Sequence, residues 1–485
     1  MSLVDKAFDV SEFRNEAHAL VDLLSRHFET SLSGESPRVF SWKDPEDQYA
    51  YWADQPEGRP TEAFFQDFID QSLHMHNPRY MGHQAAMTAF TASLAGFLGD
   101  ALNNLPSVYE MGGPGVALER LVVERTAKVM GFGPGSGGFL TSGGSLGNLT
   151  ALLCARANMA EEVWQEGTQK QYAVMVSEQA HYCVERAARM MGWGAAGVIK
   201  IPSDANYAMR TDLLDRYFEE ARAAGKTVIA VIGSSCSTAT GSYDDLEEIA
   251  SFCQQRQLWF HVDGAHGAPV VFSDTYRHLV KGLNQADSVV MDFHKSMMVP
   301  ALATAVVFKD GRTRYRTFAQ KASYLWRSES AEEWFHPSRA TFETSKASIS
   351  LKVWALWQKF GDALFAEYIE RTYDNARLFA RLVKADCEFS LPVEPAANIV
   401  CFRYLQPGKS ERDLDVLNQR IRETLMEDGR FFLVRTELRG RTFLRVTLMN
   451  PYTGDAELRE LLDAVKVLGQ TFSPTHRDKR LARGA

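Results

Sequence analysis

The chain has 485 residues, of which 45% are hydrophobic and 24% are charged, and its formal net charge at pH 7 is -8. Its length allows two or three domains and a large buried core. The acidic balance argues against a nucleic-acid partner, because proteins of that class usually carry a basic excess. No uninterrupted apolar segment of the sequence reaches the roughly 18 residues that span a membrane, so no membrane partner is expected.

The N-terminus and the cysteines predict the compartment. The first residues lack the apolar core of a signal peptide. The six cysteines are scattered and form no CxxC pair, which is typical of a reduced protein whose cysteines pack as small core residues. We therefore expect a cytoplasmic protein.

The N-terminal part of the chain predicts a helical arm followed by a binding loop. Amphipathic helical patterns near residues 21–28 and 63–70 are separated by a proline-rich loop. The stretch after them mixes turn residues with polar and aromatic side chains, as binding loops do. A metal site at His74, His76 and His83 is not favoured, because no carboxylate or cysteine completes a familiar ligand spacing.

A glycine-rich segment at residues 131–148 leads directly into a predicted helix. Gly143, Gly144 and Ser145 fall at the first turn of that helix. Outward-pointing backbone N–H groups and the helix dipole favour an anion such as phosphate at this position. The segment is neither a Walker loop nor GxGxxG, so it predicts an anion site without identifying the ligand.

Short β-rich segments alternate with helical segments between residues 172 and 308. This alternation predicts βαβ units and a largely parallel sheet, in which ligands bind at the carboxyl ends of the strands. The predicted strands are 172–176, 198–201, 227–233, 259–262, 288–291 and 305–308. His181, Thr238, Asp263 and Lys295 each follow the end of one of these strands. Their convergence is the strongest indication of a single site.

Lys295 lies in an otherwise largely apolar stretch that runs from residue 289 to residue 302. Burying an ammonium without a partner is costly, so a desolvated lysine has a lowered pKa, and its neutral amine can form a Schiff base with an aldehyde. The alternative is a lysine at a strand end whose charged head reaches water. On this stretch alone, the alternative is the stronger interpretation.

The rest of the chain predicts a lid and a small domain. Residues 312–337 are polar and aromatic without clean periodicity, as in a mobile lid. A long helix, broken or bent near Gly361, is predicted before strands and helices of α+β type. The predicted division is an N-terminal helical arm with a substrate-loop segment (1–115), a large α/β domain (116–382) and a small C-terminal α+β domain (383–485).

Four motifs in this order and spacing carry a resemblance that none would carry alone. They are TSGGSLGNLTAL at 141–152, SEQAH at 177–181, HVDGAH at 261–266 and DFHK at 292–295. From about residue 78 to residue 451, the chain resembles the group II amino-acid decarboxylases that depend on pyridoxal phosphate (PLP). This family includes the glutamate, cysteine-sulfinate, diaminobutyrate and aromatic amino-acid decarboxylases.

The resemblance implies an α/β fold of PLP-dependent transferase fold type I, similar to aspartate aminotransferase. Such a fold has a mostly parallel central sheet with helices on both faces, plus a small α+β C-terminal domain. The large domain at 116–382 would then bind PLP. The implied assembly is a homodimer whose subunits share active sites.

The resemblance also implies a role for each site residue. Lys295 holds PLP as a Schiff base, Asp263 pairs with the pyridine nitrogen, and His181 stacks on the ring face. The other implied cofactor contacts are Ala265 beneath the ring, Thr238 along the ring, and Gly144, Ser145 and His294 at the phosphate.

Tyr324 lies where the mobile loop of the family carries a tyrosine. The resemblance implies that it protonates Cα after CO₂ leaves, in the site of the neighbouring subunit. Two positions depart from the family. Lys346 stands in the segment where many members carry an arginine for the substrate carboxylate, and it lacks the bidentate fork. Asp292 stands where some members have asparagine near the phosphate, so we expect it to point elsewhere or to be bridged by a donor.

The substrate loops of relatives correspond here to Tyr80, His83 and Tyr109, with Lys346 as a further candidate for substrate binding. The text VYEMGGP around Tyr109 is closer to the acidic and diamino-acid branches than to the aromatic branch. We therefore expect α-decarboxylation of a small polar L-amino acid, acidic or diamino. Aromatic amino acids are the alternative.

Three other functions stay open. The first is another PLP reaction on the same fold, by an aldehyde synthase, lyase or aminotransferase, against which the presence of both His181 and Tyr324 counts. The second is a metal hydrolase, although it leaves Lys295 and the glycine-rich loop without a role. Its ligands would be His261, Asp263, His266, Asp292 and His294. The third is a binding or scaffold protein without catalysis.

Overall fold

The computed structural model describes residues 2–318 and 334–472. The chain divides into two compact units, the first drawn from residues 1–83, 378–392 and 401–485 and the second from residues 84–377 and 393–400. Tyr324 and most of the lid predicted for residues 312–337 lie outside the described residues. The three-part domain division predicted from the sequence stays a prediction.

The helices of the described residues are numbered here in chain order. They are α1 (Leu3–Ala7), α2 (Val10–Leu32), α3 (Pro45–Ala53), α4 (Thr61–Gln71), α5 (Phe90–Leu102), α6 (Tyr109–Val129), α7 (Gly144–Met159), α8 (Val163–Glu166), α9 (Cys183–Met190), α10 (Leu214–Ala223), α11 (Leu246–Arg256), α12 (Phe293–Ser296), α13 (Thr313–Phe318), α14 (Ile349–Phe360), α15 (Ala363–Ala385), α16 (Glu411–Asp428) and α17 (Asp455–Thr471). The long helix predicted after residue 347 is broken between α14 and α15 at Gly361, whose φ of 69° favours glycine.

The second unit is built around a seven-stranded sheet, counted over the described residues. Its strands are β1 (Gly137–Thr141), β2 (Gln171–Ser177), β3 (Val198–Ile201), β4 (Lys226–Ser234), β5 (Trp259–Asp263), β6 (Ser288–Asp292) and β7 (Thr304–Phe308). Their order is β1-β7-β6-β5-β4-β2-β3. The pairs from β3 to β6 are parallel, whereas β7 is antiparallel to both β1 and β6. The predicted mostly parallel sheet is confirmed.

Strands β5, β6 and β7 are buried along their whole length, which fits their nearly continuous apolar sequences. Helices α6, α7, α10 and α11 pack against the strands. Helix α7 approaches β6 and β7 closely at Gly147, where an added Cβ would lie 3.2 Å from Thr304 and 3.3 Å from Val290. The sheet therefore fixes the position of the helix that begins in the glycine-rich segment.

The first unit contains the N-terminal helices α1 to α4 and most of the C-terminal region. A four-stranded sheet has the order β10-β11-β9-β8, with strands β8 (Phe389–Ser390), β9 (Ile399–Tyr404), β10 (Val434–Leu438) and β11 (Arg441–Thr447). Helix α16 packs on β11 and starts at a capping box formed by Ser410 and Asp413. This agrees with the predicted small α+β C-terminal fold. In the part of the chain that the structure describes, no helix is long and apolar enough to cross a membrane.

Strand β1 lies in the glycine-rich segment, where the sequence predicts a loop. It forms because its backbone pairs antiparallel with β7 along its whole length. An added Cβ at Gly138 would lie 2.1 Å from the backbone oxygen of Val306, so a side chain at that position is incompatible with the pairing.

We expect Gly138→Ala to destabilise the protein by roughly 1–3 kcal/mol, because the methyl group forces β1 away from β7. The measurement is the midpoint of urea unfolding, followed by circular dichroism. Gly133→Ala is the matched control, since an added Cβ there meets nothing within 4 Å. Equal midpoints for the two variants would contradict the close strand contact.

Candidate active site

The predicted cofactor-binding residues surround a cavity in the second unit, at the carboxyl ends of β2, β4, β5 and β6. The cavity has a volume of about 400 Å³, within the roughly 300–1,000 Å³ common for ligand sites. All predicted cofactor-binding residues line it, namely Gly144, Ser145, His181, Thr238, Asp263, Ala265, His294 and Lys295. The sheet brings them together because the loops that follow its parallel strands leave at one edge.

Lys295 lies in α12, the short helix that begins directly after β6. Its Nζ lies 3.1 Å from Oδ2 of Asp292, the last residue of β6. Asp292 is fully buried, and its Oδ1 accepts a hydrogen bond of 2.6 Å from Thr304 Oγ1. The lysine amine is therefore held at the cavity by a buried carboxylate.

The apolar sequence around Lys295 would allow a lowered pKa, but the structure indicates the opposite direction. Burial does lower the pKa of Lys295, but the carboxylates of Asp292 and Asp263 outweigh burial, so its pKa is raised. In this arrangement the side chain is an ammonium, and it must lose a proton before its amine can bond to an aldehyde.

Asp263 and His181 line the cavity from neighbouring strand ends. Asp263 ends β5, and its Oδ1 accepts a hydrogen bond of 3.3 Å from the Ala265 amide. His181 accepts a hydrogen bond of 3.3 Å from the Cys183 amide at Nδ1. Burial lowers the pKa of His181, although the Asp263 carboxylate raises it in part. A neutral imidazole with a fixed Nδ1 acceptor is the form that these contacts favour.

The first turn of α7 forms the anion end of the cavity. An added Cβ at Gly144 would lie 2.9 Å from Asp292 Oδ2 and 3.3 Å from the Ala265 side chain, so only glycine leaves this space open. Ser145 and His294 line the cavity at the same end. This glycine-opened helix N-terminus, with a lysine amine and a carboxylate in the same cavity, fits a phosphorylated aldehyde cofactor.

A buried chain of hydrogen bonds that the sequence does not indicate links β5 to the start of α7. His261 Nε2 lies 2.8 Å from Asn148 Oδ1, and Asn148 Nδ2 donates to the Gly144 carbonyl at 2.9 Å. His261 Nδ1 lies 2.8 Å from Ser288 Oγ, which accepts a hydrogen bond of 2.9 Å from Trp259 Nε1. Burial lowers the pKa of His261 to about 4, so this histidine is a neutral structural link. In the sequence, His261 opens the HVDGAH motif two residues before Asp263, on the same face of β5, but nothing there indicates its link to Asn148.

The metal-hydrolase alternative receives no support from this geometry. Both ring nitrogens of His261 are engaged, and His266 Nε2 lies 2.7 Å from Asn398 Oδ1. Over residues 2–318 and 334–472, no three His, Cys, Asp or Glu side chains are grouped so that they could hold a metal ion.

The structure does not bring Lys346 into this cavity. Its side chain is buried, and its Nζ lies 2.5 Å from Glu119 Oε1 and 2.9 Å from the Leu140 carbonyl oxygen. The same Glu119 oxygen accepts a hydrogen bond of 3.1 Å from the Leu140 amide. This placement gives no support to a substrate role for Lys346, because its charge is neutralised by Glu119 of α6.

Glu343 is a second residue near β1 that the sequence does not indicate. Its carboxylate accepts a hydrogen bond of 2.6 Å from Ser142 Oγ and another from Thr141 Oγ1. Ser142 lines the cavity beside Gly143. Glu343 therefore orients the turn that leads from β1 into α7.

The other predicted substrate residues lie outside the lining of this cavity. Tyr109 begins α6 and is 52% exposed. Tyr80 and His83 belong to the first unit, where the buried Tyr80 ring packs 5.5 Å from the Phe432 ring. Burial lowers the pKa of His83, and the guanidinium groups of Arg445 and Arg422 lower it further. Their substrate roles stay predictions.

Enzymes that use pyridoxal phosphate hold it through a lysine amine, place an acidic residue against the pyridine nitrogen, and tune the ring with the surrounding side chains. The parallel sheet and the cavity at its carboxyl edge assign this chain to that class, with fold type I. The family described as the pyridoxal-dependent decarboxylase conserved domain matches residues 64–405, and the chain belongs to this family. It is a PLP-dependent carboxy-lyase that acts on an amino acid.

Curated relatives with different substrates are similar to the chain. The aromatic-L-amino-acid decarboxylase of Bacillus atrophaeus is 27% identical over 414 residues, which cover 84% of each protein. The aspartate 1-decarboxylase of Aliivibrio fischeri is 29% identical over 451 residues, with 83% of this chain and 81% of the relative covered. The crystal structure of mouse CSAD is similar in fold, with a TM-score of 0.89 at 24% identity, covering 96% of this chain and 100% of that one.

We expect Lys346→Met to destabilise the protein by roughly 3–5 kcal/mol, because it leaves the Glu119 carboxylate buried without its cation. The Lys346→Met and Glu119→Gln double variant should recover most of this loss, since the glutamine oxygen still accepts from Leu140. Urea unfolding of the three proteins measures both effects.

An exposed ion pair serves as the control for this cycle. Arg216 and Glu220 pair at 2.8 Å with side chains that are 67% and 56% exposed. Arg216→Met should change stability by less than about 1 kcal/mol, the usual range of surface pairs. A Lys346→Met effect as small as that of Arg216→Met would contradict the interpretation of Lys346 as a buried structural charge.

Proposed function

We propose that the protein removes the α-carboxylate of a small polar L-amino acid, acidic or diamino, and releases the amine and CO₂. The observation that carries the site assignment is the meeting of the Lys295 amine, the Asp263 carboxylate and the N-terminus of α7 in one cavity. The similarity to aspartate 1-decarboxylase supports an acidic substrate.

Each residue of the cavity has a proposed role toward the cofactor. Lys295 bonds to the aldehyde carbon, and Asp263 pairs with the pyridine nitrogen and keeps it protonated. His181 lies against one ring face, and its neutral form suits stacking. Contacts to the remaining parts of the cofactor are proposed for Ala265 and Thr238 at the ring and for Gly144, Ser145 and His294 at the phosphate.

When bound, pyridoxal phosphate supplies an electron-withdrawing ring that accepts the electron pair of the broken bond between Cα and the carboxylate carbon. Lys295 would hold the cofactor through its amine, so its Nζ would have to release a proton on attachment and take one up on release. Tyr324, which lies outside the described residues, is proposed to donate a proton to Cα after CO₂ leaves.

The experiment that tests this function is an assay of CO₂ release from a panel of L-amino acids. The panel contains aspartate, glutamate, cysteine sulfinate, 2,4-diaminobutyrate, tyrosine and tryptophan, each with added PLP. We expect kcat/KM to be largest for an acidic or diamino substrate. The largest value for an aromatic amino acid would replace this substrate class by the aromatic alternative, which the similarity to the Bacillus atrophaeus enzyme keeps open.

The control for the cofactor chemistry is a pair of Lys295 variants treated with borohydride. Reduction should attach the cofactor to the wild type and not to Lys295→Ala or Lys295→Arg, and mass spectrometry measures the attachment at this peptide. Both variants should lose nearly all CO₂ release, because neither side chain supplies the required primary amine. Covalent attachment in Lys295→Ala would overturn the assignment of Lys295.

We further propose that two copies of the chain form a homodimer through α5. Phe90, Leu94, Phe97 and Leu98 of this helix are 45%, 61%, 46% and 49% exposed, respectively. Their spacing along the helix puts them on one face, and clustered exposed apolar residues mark an interaction surface. A second copy of the chain is the simplest partner for this surface, in agreement with the dimer that the family resemblance implies.

The Leu94→Asp and Phe97→Asp double variant should shift the protein from dimer to monomer, because two charges would be buried unpaired in the interface. Sedimentation equilibrium of the wild type and of the variant measures the mass. Val416→Asp on α16, where the valine is 62% exposed, is the control and should leave the mass unchanged. A wild-type protein that sediments as a monomer would remove the dimer proposal.

A further inference from the structure

Asn148 is an unusual residue for the position that it occupies. It is the fifth residue of α7, it is buried, and it lines the cavity, as Gly144 does. Asparagine is unfavourable inside a helix and favours caps and turns, because its amide competes for backbone hydrogen bonds. Here its Nδ2 donates to the Gly144 carbonyl at 2.9 Å. Propensity and apolar packing do not explain an asparagine at this position, so its hydrogen bonds have to.

The contacts of Asn148 fix the direction of every hydrogen bond in the buried chain that links β5 to α7. A carbonyl oxygen only accepts, so Nδ2 of Asn148 faces Gly144, and Oδ1 is left to accept from His261. The proton of the His261 ring is therefore on Nε2, and Nδ1 accepts from the Ser288 hydroxyl at 2.8 Å. Ser288 Oγ accepts from Trp259 Nε1, which only donates. All donors in the chain thus point toward the Gly144 carbonyl.

The other neutral tautomer of His261 fails at Asn148. A proton on Nδ1 would find acceptors in the hydroxyl and carbonyl oxygens of Ser288, at 2.8 and 3.2 Å. The Nε2 lone pair would then face Asn148 Oδ1 at 2.8 Å, or a reversed amide would turn Oδ1 toward the Gly144 carbonyl oxygen. Either arrangement buries two acceptors against each other. The doubly protonated ring is also disfavoured, because burial lowers the pKa of His261 to about 4.

The chain ends on a peptide group at the anion end of the cavity. The Gly144 carbonyl and the Ser145 amide belong to this one group, at the first turn of α7. Within the residues that the structure describes, the amide nitrogens of Gly144, Ser145 and Leu146 have no hydrogen-bond acceptor, as is usual for a first turn. A hydrogen bond to a carbonyl polarises its peptide group, so the N–H of the same group becomes a stronger donor.

We propose that Asn148 and His261 are positioning residues for recognition of a phosphate at the start of α7. Asn148 orients and polarises the peptide group between Gly144 and Ser145. His261 holds the Asn148 amide in the orientation that allows this. The inference rests on the proposed function, in which the first turn of α7 binds the cofactor phosphate. Neither role requires a contact between these two side chains and the cofactor.

The competing explanation is that the chain only fastens α7 to β5. A fastening role would lower the stability of the variants and weaken the binding of any ligand of the cavity by a similar factor. A role in phosphate recognition changes the preference for a phosphorylated ligand over the same ligand without its phosphate. The ratio of two dissociation constants therefore separates the two explanations.

The test compares binding of PLP with binding of pyridoxal, which lacks the phosphate. Both form the same bond to Lys295, so the ratio of their dissociation constants isolates the phosphate. Absorbance titrations are made on wild type and Asn148→Ala after removal of bound cofactor. We expect Asn148→Ala to weaken PLP binding by about tenfold, the size of one hydrogen bond to a charged group, and pyridoxal binding by much less.

Asn158→Ala is the matched control on the same helix. Asn158 Nδ2 donates to the Cys154 carbonyl at 2.8 Å, the same contact over four residues, but near the opposite end of α7. This variant should leave the ratio for PLP and pyridoxal unchanged. An equal fall of the ratio in Asn158→Ala would overturn the inference, because any weakening of α7 would then be sufficient.

Variants of His261 test the link to Asn148. His261→Phe keeps a ring but removes the Nε2 proton, and it should reduce the preference for PLP. His261→Gln should restore most of the preference, because its amide N–H can replace the Nε2 donor. In an Asn148→Ala background, His261→Phe should have no further effect on the ratio. An undiminished effect there would show that His261 acts without Asn148.

Nitrogen-15 NMR of labelled histidines tests the hydrogen-bond direction in the wild type, without relying on a binding variant. The His261 signals, assigned by their loss in a His261 variant, should be those of a neutral ring with its proton on Nε2. They should stay unchanged from about pH 6 to about pH 8.5, a range in which an ordinary histidine titrates. A proton on Nδ1 would overturn the inference.

The proposed function and this inference fail in different ways. If the wild type binds PLP and pyridoxal equally well, the first turn of α7 does not hold the phosphate, and that part of the proposed function is wrong. If the wild type prefers PLP and Asn148→Ala keeps the full preference, the function stands and the inference falls. Equal losses for PLP and pyridoxal in Asn148→Ala would show the fastening role alone.

Discussion

The Lys295 ammonium and the Asp292 carboxylate lie 3.1 Å apart at the end of a strand that is buried along its whole length. This pair is the constraint on which the rest of the site depends. The pair places the Lys295 amine at the cavity. Burial lowers the pKa of Lys295, but the nearby carboxylates raise it by more, which favours the ammonium form.

The sheet and α7 bring several other groups to the same edge. Asp263, His294 and Lys295 come from adjacent strand ends, and the glycine at the start of α7 leaves space for an anion. The hydrogen bonds from His261 through Asn148 to the Gly144 carbonyl hold this helix start in place. His261 is neutral in this link, because burial lowers its pKa to about 4.

Lys346 lies in the segment where many family members carry a substrate-binding arginine, but here its charge stabilises the fold. Its ammonium lies against Glu119 and the Leu140 carbonyl, and therefore fastens β1, the strand that leads into the anion end of the cavity. Glu343 orients the following turn through the Thr141 and Ser142 hydroxyl groups. Both residues act on the site through the backbone that positions it.

The sequence by itself determined the class of fold, the family and the residues that gather at the cavity. The six strands predicted between residues 172 and 308 differ from the observed strands by at most one residue at each end, because alternating apolar segments encode them locally. Strand β1 was not predictable from its glycines, since it depends on pairing with β7. The raised pKa of Lys295, the burial of Lys346 against Glu119 and the contact of Asp292 with the start of α7 were decided only by tertiary structure. These properties are set by distances between charges that lie far apart in the chain or on different elements, and no local sequence pattern records such distances.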